Sequence, residues 1–308
     1  MSILTDKIKN IIYNEGFQKV GITSSIQPSK SILLEQWLSN GYHGDMNWIQ
    51  ARKRKRTDIQ TFFPGAKSVI CVAHNYYTPH THIQSKKKGK ISRYAWGEDY
   101  HKIIKKKLKI ILKEIKKIDP TINGRLCVDT APIMEKLWAE KAGVGWQGKH
   151  TNIITKDYGS WVFLGEIIVN KALDYDTPAL DHCGKCRACL DACPTEAIIG
   201  PYKLDARKCI SYLTIEYWDK PIPEELKKKM DGWIFGCDIC QDVCPWNKNR
   251  KVSLEKRYYP KLENLTPDLN KLSKMDEAGF KQKYKKSPIY RTKWYNFIRN
   301  INAVMINK

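Results

Sequence analysis

Over its first 175 positions the chain alternates dense apolar runs with one long helical stripe. SVICVAHNY (68–76) follows the turn signal Pro64-Gly65 and reads as a buried strand. From Asp99 to Ile118, apolar residues Ile104, Leu108, Ile111, Leu112, Ile115 and Ile118 recur at helical spacing. Lys102, Lys105, Lys106, Lys109, Lys113, Lys116 and Lys117 take the opposite face, which predicts an amphipathic helix. RLCVD (125–129) reads as a short strand. TAPIMEKLWAEKAG (130–143) reads as a helix capped by Thr130 or Ala131, with Pro132 in its first turn and Gly143 at its end. GSWVFLGEIIVN (159–170) is a further strand with few polar breaks. This succession predicts an α+β fold. DYDTPALDH (174–182) reads as a linker, and a cysteine-rich region runs from it to about residue 247. The expected domains are 1–175, 176–250 and a basic helical tail over 251–308.

The first seven residues already carry charge, and no run approaches the ~20 apolar residues of a membrane span. The expected location is therefore the cytoplasm, with no membrane partner. Structural disulfides are rare there, so ten cysteines point to metal. With 54 Lys and Arg against 32 Asp and Glu, the net charge is +22. A polyphosphate backbone is the simplest partner for that surplus, and solvated lysine-rich faces account for it equally well. From Lys251 onward 14 Lys and Arg stand against 5 Asp and Glu, with Tyr and Trp interleaved in KQKYKKSPIYRTKWYNFIRN.

Cys183, Cys186, Cys189 and Cys193 are spaced C-x2-C-x2-C-x3-C and precede Pro194. Cys209 comes next, and then Cys237, Cys240 and Cys244, spaced C-x2-C-x3-C before Pro245. A cubane iron–sulfur cluster needs four thiolates at tetrahedral corners. A tight loop supplies three, and a fourth cysteine beyond its own loop faces the other cluster. The spacing assigns one 4Fe-4S cluster to Cys183, Cys186, Cys189 and Cys244, and a second to Cys193, Cys209, Cys237 and Cys240. Zinc sites show two C-x2-C pairs across a longer gap, a poor match. A radical-SAM spacing fails because Glu196 stands where its third cysteine belongs. Cys71 and Cys127 sit in apolar strands and read as plain buried residues.

GVGWQGKH (143–150) imitates phosphate-binding motifs, but a helix precedes it and the strand-like TNIIT follows, the reverse of what those motifs need. It remains suited to wrapping some other flat or anionic ligand. An electron carrier needs only about 60 to 80 residues, so the N-terminal domain should hold what receives the electrons. Asp129, between a strand end and a helix, is either a functional acid or a helix cap.

The stretches VDTAPIMEKLWAEKAGVGWQGKH (128–150), LDARKCISYLTIE (204–216) and IFGCDICQDVCPWN (234–247) closely resemble epoxyqueuosine reductases, and ISRYAWGEDYHK (91–102) and FFPGAKSVI (62–70) also fit. The resemblance covers nearly the whole chain. It implies a nitroreductase-like mixed α/β cobalamin-binding domain followed by a ferredoxin-like domain with two 4Fe-4S clusters. It implies the last step of queuosine formation, removal of the epoxide oxygen in the tRNA anticodon loop, with cobalamin reduced through the clusters. Asp129 matches the family's proton donor, which would protonate the leaving oxygen. Arg52, Ser92, Asp129, Ile153, Leu164 and Ser211 match its corrin-facing positions, Ile153 and Leu164 acting through backbone and surface. Cobalamin is expected base-off, without a protein histidine ligand: Asp99-Tyr100-His101 begins D-x-H-x-x-G, but Ile104 replaces the glycine. The implied partners are tRNA and an external electron donor, and the chain is expected to be a monomer. Many family members continue into a C-terminal helical-repeat module, of which WYNFIRNINAVMIN (294–307) resembles only the opening. Two other readings stand beside this one: reductive dehalogenase-like chemistry on a small molecule, and a non-enzymatic iron–sulfur electron-transfer or nucleic-acid-binding protein.

Overall fold

The computed structural model describes residues 2–83, 85–248 and 250–306; the outermost bounds of the expected first and last domains, 1 and 308, lie outside the described residues. Its strands, in chain order, are β1 (Lys19–Ser24), β2 (Ser68–Asn75), β3 (Lys90–Ile91), β4 (Gly124–Cys127), β5 (Trp146–Gln147), β6 (Ile153–Ile154), β7 (Val162–Val169), β8 (Ile198–Gly200), β9 (Lys203–Leu204) and β10 (Trp233–Phe235). Four of them form one antiparallel sheet in the order β1-β2-β7-β4.

The apolar density of β2 has a simple cause. Ile70 and Val72 point to one face, into a core with Ile8 and Ile12 of the Ile3–Asn14 helix and Leu108, Ile111 and Ile115 of the Tyr100–Ile118 helix. Val69, Cys71 and Ala73 point to the other, against Trp138 and Ala139 of the Glu135–Lys141 helix. A strand covered on both faces shows no polar alternation. Gly21 of β1 lets this second layer close, because a Cβ there would lie 1.9 Å from the Ala142 carbonyl oxygen.

The Tyr100–Ile118 helix begins where its sequence says it should, with the Asp99 carboxylate accepting from the His101 N–H at 3.0 Å. All seven lysines of its polar face are exposed, and Ile118 of the apolar stripe is exposed with them.

The expected helix over 130–143 is a correction. It spans only Glu135–Lys141, and neither Thr130 nor Ala131 caps it. Asp129 has φ 44, which no right-handed helix accepts. Pro132 disfavours helical backbone at Ala131. Residues 128–134 therefore form a loop, pinned by the Arg56 guanidinium donating to the Ile133 carbonyl at 3.0 Å. At the other end Gly143, at φ 74, closes the helix as read: its N–H donates to Glu140 and that of Val144 to Ala139.

A second core gathers Ile91, Trp96, Leu213, Ile234 and Phe235 with Leu269, Phe280, Phe297 and Ile301 from the tail. The basic tail is thus helical and packed rather than trailing, with helices Leu269–Ser273, Glu277–Tyr284 and Lys293–Ile306. Among the described residues no helix is long and apolar enough to cross a membrane.

Candidate active site

A cavity of about 970 Å³ opens between the main sheet, the cysteine-rich region and the tail. That is the upper end of the ~300–1,000 Å³ common for cofactor sites. One wall carries Asp129 and the edge of the Tyr100–Ile118 helix, and another carries Cys193, Cys209, Cys237 and Cys240.

Asp129 stays 40 % accessible because it lines this space, although protein encloses it. Its Oδ2 lies 2.9 Å from His101 Nε2, and His101 Nδ1 lies 2.8 Å from Asp99 Oδ1. Both ring nitrogens are therefore committed to carboxylates. Arg291 Nη1 approaches Asp129 Oδ2 at 4.0 Å, while its Nη2 pairs with Glu216 at 2.8 Å. Burial raises the Asp129 pKa, but the His101 hydrogen bond and charge, followed by Arg291, outweigh it and hold the carboxyl below the usual range. For His101 burial lowers the pKa, and bonds to Asp129 and Asp99 overcome it, giving about 9. The resting proton thus belongs to His101 Nε2, which donates to Asp129. The helix-cap reading of Asp129 fails, since the helix starts six residues later.

Behind Asp129 sit two further carboxyls. Glu135 lines the cavity; burial and then the Asp129 charge raise it to about 7. Glu166 is fully buried on β7 between its cross-strand neighbours Cys71 and Cys127. Neither of its oxygens has a hydrogen-bond partner, and burial, then Glu135 and Asp129, push it well above the usual range. A neutral carboxylic acid is the form that fits there.

Of the other residues singled out from the sequence, Ser92, Ile153, Leu164 and Ser211 also line the cavity. Arg52 does not: it is exposed, and Met46 and Trp48 line the cavity from its segment instead. The Ser92 hydroxyl donates to Asp238 at 2.5 Å, and the Arg93 N–H donates to the same carboxylate at 2.7 Å, tying this wall to the Cys237–Cys240 loop. The sequence assigns no role beside Asp129 to Tyr100, His101, Glu135, Glu216 or Arg291, although all five lie in stretches quoted above and Asp99-Tyr100-His101 begins D-x-H-x-x-G.

None of the ten cysteines forms a disulfide. The thiol of Cys244 feels those of Cys183, Cys189 and Cys186, so these four are neighbours. Cys240 feels Cys209 and Cys193, and Cys237 feels Cys240 and Cys209. Backbone N–H groups face several of the sulfurs: Ala197 N lies 3.3 Å from Cys193 Sγ, and the Trp246 N–H points at Cys244. Cys244 stands at the N-cap of the short helical turn Pro245–Asn247, with proline at its first position. Among the described residues no three Cys, His, Asp or Glu side chains converge on a point fit for a single ion. Thiols gathered in two neighbouring groups suit polynuclear clusters better than lone zinc ions.

Two family models match the chain: "Epoxyqueuosine reductase QueG, DUF1730" over residues 56–130 and "4Fe-4S double cluster binding domain" over 182–247. The epoxyqueuosine reductase of Atelocyanobacterium thalassa is 46% identical over 98% of this chain and 99% of its own length. That of Escherichia coli is 40% identical over 99% of this chain and 81% of its own. A crystal structure of epoxyqueuosine reductase with an epoxyqueuosine-modified tRNA-Tyr stem loop superposes with TM-score 0.91 at 30% identity, covering 99% of this chain and 81% of that one. The enzyme of Streptococcus thermophilus gives TM-score 0.89 at 29% identity, covering 100% and 82%. With this identity over nearly its entire length, the chain belongs to the epoxyqueuosine reductase family.

Proposed function

We propose that this protein reduces epoxyqueuosine to queuosine in the anticodon loop of tRNA, the cavity beside Asp129 receiving the modified base. One observation carries the reading beyond family membership: thiols of the double-cluster region and the Asp129–His101 pair line the same space. Deoxygenating an epoxide to an alkene consumes two electrons and two protons and releases water. Electron carriers and proton donors must therefore meet at one substrate.

The donor sets support two 4Fe-4S clusters, the first held by Cys183, Cys186, Cys189 and Cys244 and the second by Cys193, Cys209, Cys237 and Cys240. An indole nitrogen directed at Cys183 without an oxygen acceptor, that of Trp146, suits sulfur-rich surroundings. A cavity of this volume, with apolar lining that includes Ile153 and Leu164, has room for a large cofactor, and we assign it to cobalamin. Both His101 nitrogens are engaged with carboxylates, so the histidine that begins D-x-H-x-x-G is not free to act as a lower ligand. When bound, clusters and cobalamin supply low-potential electrons at the epoxide.

The protein's own groups handle the protons. His101 Nε2 holds one against Asp129 Oδ2. That proton moves to Asp129 Oδ2 and on to the leaving oxygen as negative charge develops there, and the second proton, which completes the water, enters from solvent, as does the one that restores His101. Arg291, itself paired with Glu216, approaches the Asp129 carboxylate from the tail side. Metal analysis tests the assignment. Protein purified and reconstituted without oxygen should bind iron, sulfide and stoichiometric cobalt; zinc in the thiol sites, or no cobalt after incubation with cobalamin, contradicts it.

A further inference from the structure

The Gly143–His150 turn is left over by the chemistry above. Gly148 and Lys149 follow β5, which pairs with β6 as a small hairpin. Lys149 turns inward from it and is 9% exposed. Its ammonium donates to the carbonyls of Gly184 at 2.6 Å and Cys186 at 2.8 Å, both in the loop that carries Cys183, Cys186 and Cys189. Among the described residues no carboxylate lies within ion-pair range of it. Asp181 feels its charge at longer range, while accepting from the Cys183 N–H and from the Tyr202 hydroxyl. A buried ammonium without a paired anion is costly unless negative charge lies close by. Three thiolates and a fourth from Cys244, holding an iron–sulfur cluster, supply it.

The same turn aims two N–H groups at one sulfur. The Lys149 backbone N–H and the Trp146 indole N–H both point at Cys183 Sγ. The Trp146 indole is buried and has no other acceptor. Trp146 also packs with Cys244, Cys183 and Trp246, closing an apolar lid over this site. Carboxyls stand beside both groups of thiols, Asp181 by Cys183 and Asp238 by Cys237 and Cys240, and Lys136 acts on Cys209 from a distance, but the ammonium that hydrogen-bonds a thiol-bearing loop itself is that of Lys149, at the first group.

Resting on the two-cluster reading, we propose that the Gly143–His150 turn raises the reduction potential of the cluster on Cys183, Cys186, Cys189 and Cys244, with Lys149 as its charged contributor, so that this cluster takes an electron before the other. One-electron reduction adds a unit of negative charge to the cluster. A fixed cation and N–H donors at its sulfurs favour that reduced form. The phosphate-like glycine pattern is then a cradle for a different anion, the thiolate-ligated cluster.

Redox titration of the anaerobically reconstituted full chain, followed by electron paramagnetic resonance, tests this. Wild type should show two one-electron waves. Lys149→Gln should lower the upper wave, cutting its reduced-to-oxidised ratio at fixed potential about tenfold, or ~59 mV. The lower wave should stay in place. Lys149→Arg, which keeps the charge, should remain near wild type. Trp146→Phe keeps the packing and removes one N–H, and should lower the same wave by less. Unmoved waves in Lys149→Gln at full iron content overturn the proposal, as does an arginine variant that falls as far as the glutamine one. Where Lys149→Gln sheds iron, Trp146→Phe decides, and a wave it leaves in place overturns the proposal. Wild-type protein that binds no iron would refute the two-cluster reading itself, a separate result.

Discussion

At the residue scale the account turns on Asp129 and the groups that set its charge. Replacing it with Asn removes the carboxyl without changing its size. Turnover should drop by ~10²–10⁴-fold while iron content and cobalt binding are retained. A pH effect follows from His101, raised from 6.5 to about 9 in the folded state. Its stabilisation is complete below pH 6.5 and disappears as pH rises through about 9. Asp99 and Asp129, both lowered, give up theirs only on the acid side. Thermal melts should therefore show wild type losing more stability than His101→Gln between pH 6.5 and 9; parallel curves would contradict the assignment. Asp129 was visible in the sequence because a lone acid after a strand draws notice. Its partners were not, since His101 drew notice only as a cofactor-ligand candidate in D-x-H-x-x-G and Arg291 looks like one more charge in a basic tail. Only tertiary packing brings the three together. Arg52 is the opposite case, a position that the family resemblance marks as corrin-facing and that the chain leaves exposed, next to Met46 and Trp48 of the cavity wall.

At the scale of elements, periodicity decided what was legible. The Tyr100–Ile118 helix could be read because every buried position repeats the 3.6-residue period. Ile111 is fully buried and Ile110 is 37% exposed. Ile111→Ala should cost about 2–5 kcal/mol in chemical denaturation. Ile110→Ala should stay within about 0.5 kcal/mol. Equal losses would show that the apolar face is misassigned. The 128–134 loop was misread because proline in a first helical turn and proline in a loop look alike in sequence. The left-handed backbone of Asp129 leaves no mark there at all. That loop carries the acid into the cavity, so the error fell on the element that matters most for function. The β5–β6 hairpin was better served. Its helix-before, strand-after order is present as read and counts against a nucleotide site, although nothing in the sequence could show Lys149 reaching across to Gly184.

At the scale of the whole molecule, the proposed tRNA substrate would give the charge of +22 a use. If the exposed lysine face of the Tyr100–Ile118 helix and the tail contact its phosphates, affinity should fall roughly a thousandfold between about 50 and 200 mM salt for about six phosphates neutralised. Binding that stays flat with salt would contradict this. The aromatic residues of the tail divide sharply. Tyr284 is buried and the Trp294 indole donates to the Met275 carbonyl, which leaves Tyr290, on the cavity rim, and Tyr295 exposed for stacking on bases. Tyr290→Ala should weaken tRNA binding by about 1–3 kcal/mol, read by a filter or fluorescence assay at fixed salt. The most direct measurement of the central claim is nucleoside analysis of epoxyqueuosine-containing tRNA after incubation with the anaerobically reconstituted protein, cobalamin and a low-potential reductant. The account predicts that epoxyqueuosine disappears and queuosine appears in equal amount, and that neither happens with Asp129→Asn. Epoxyqueuosine left intact by protein that carries its full iron and cobalt would contradict it.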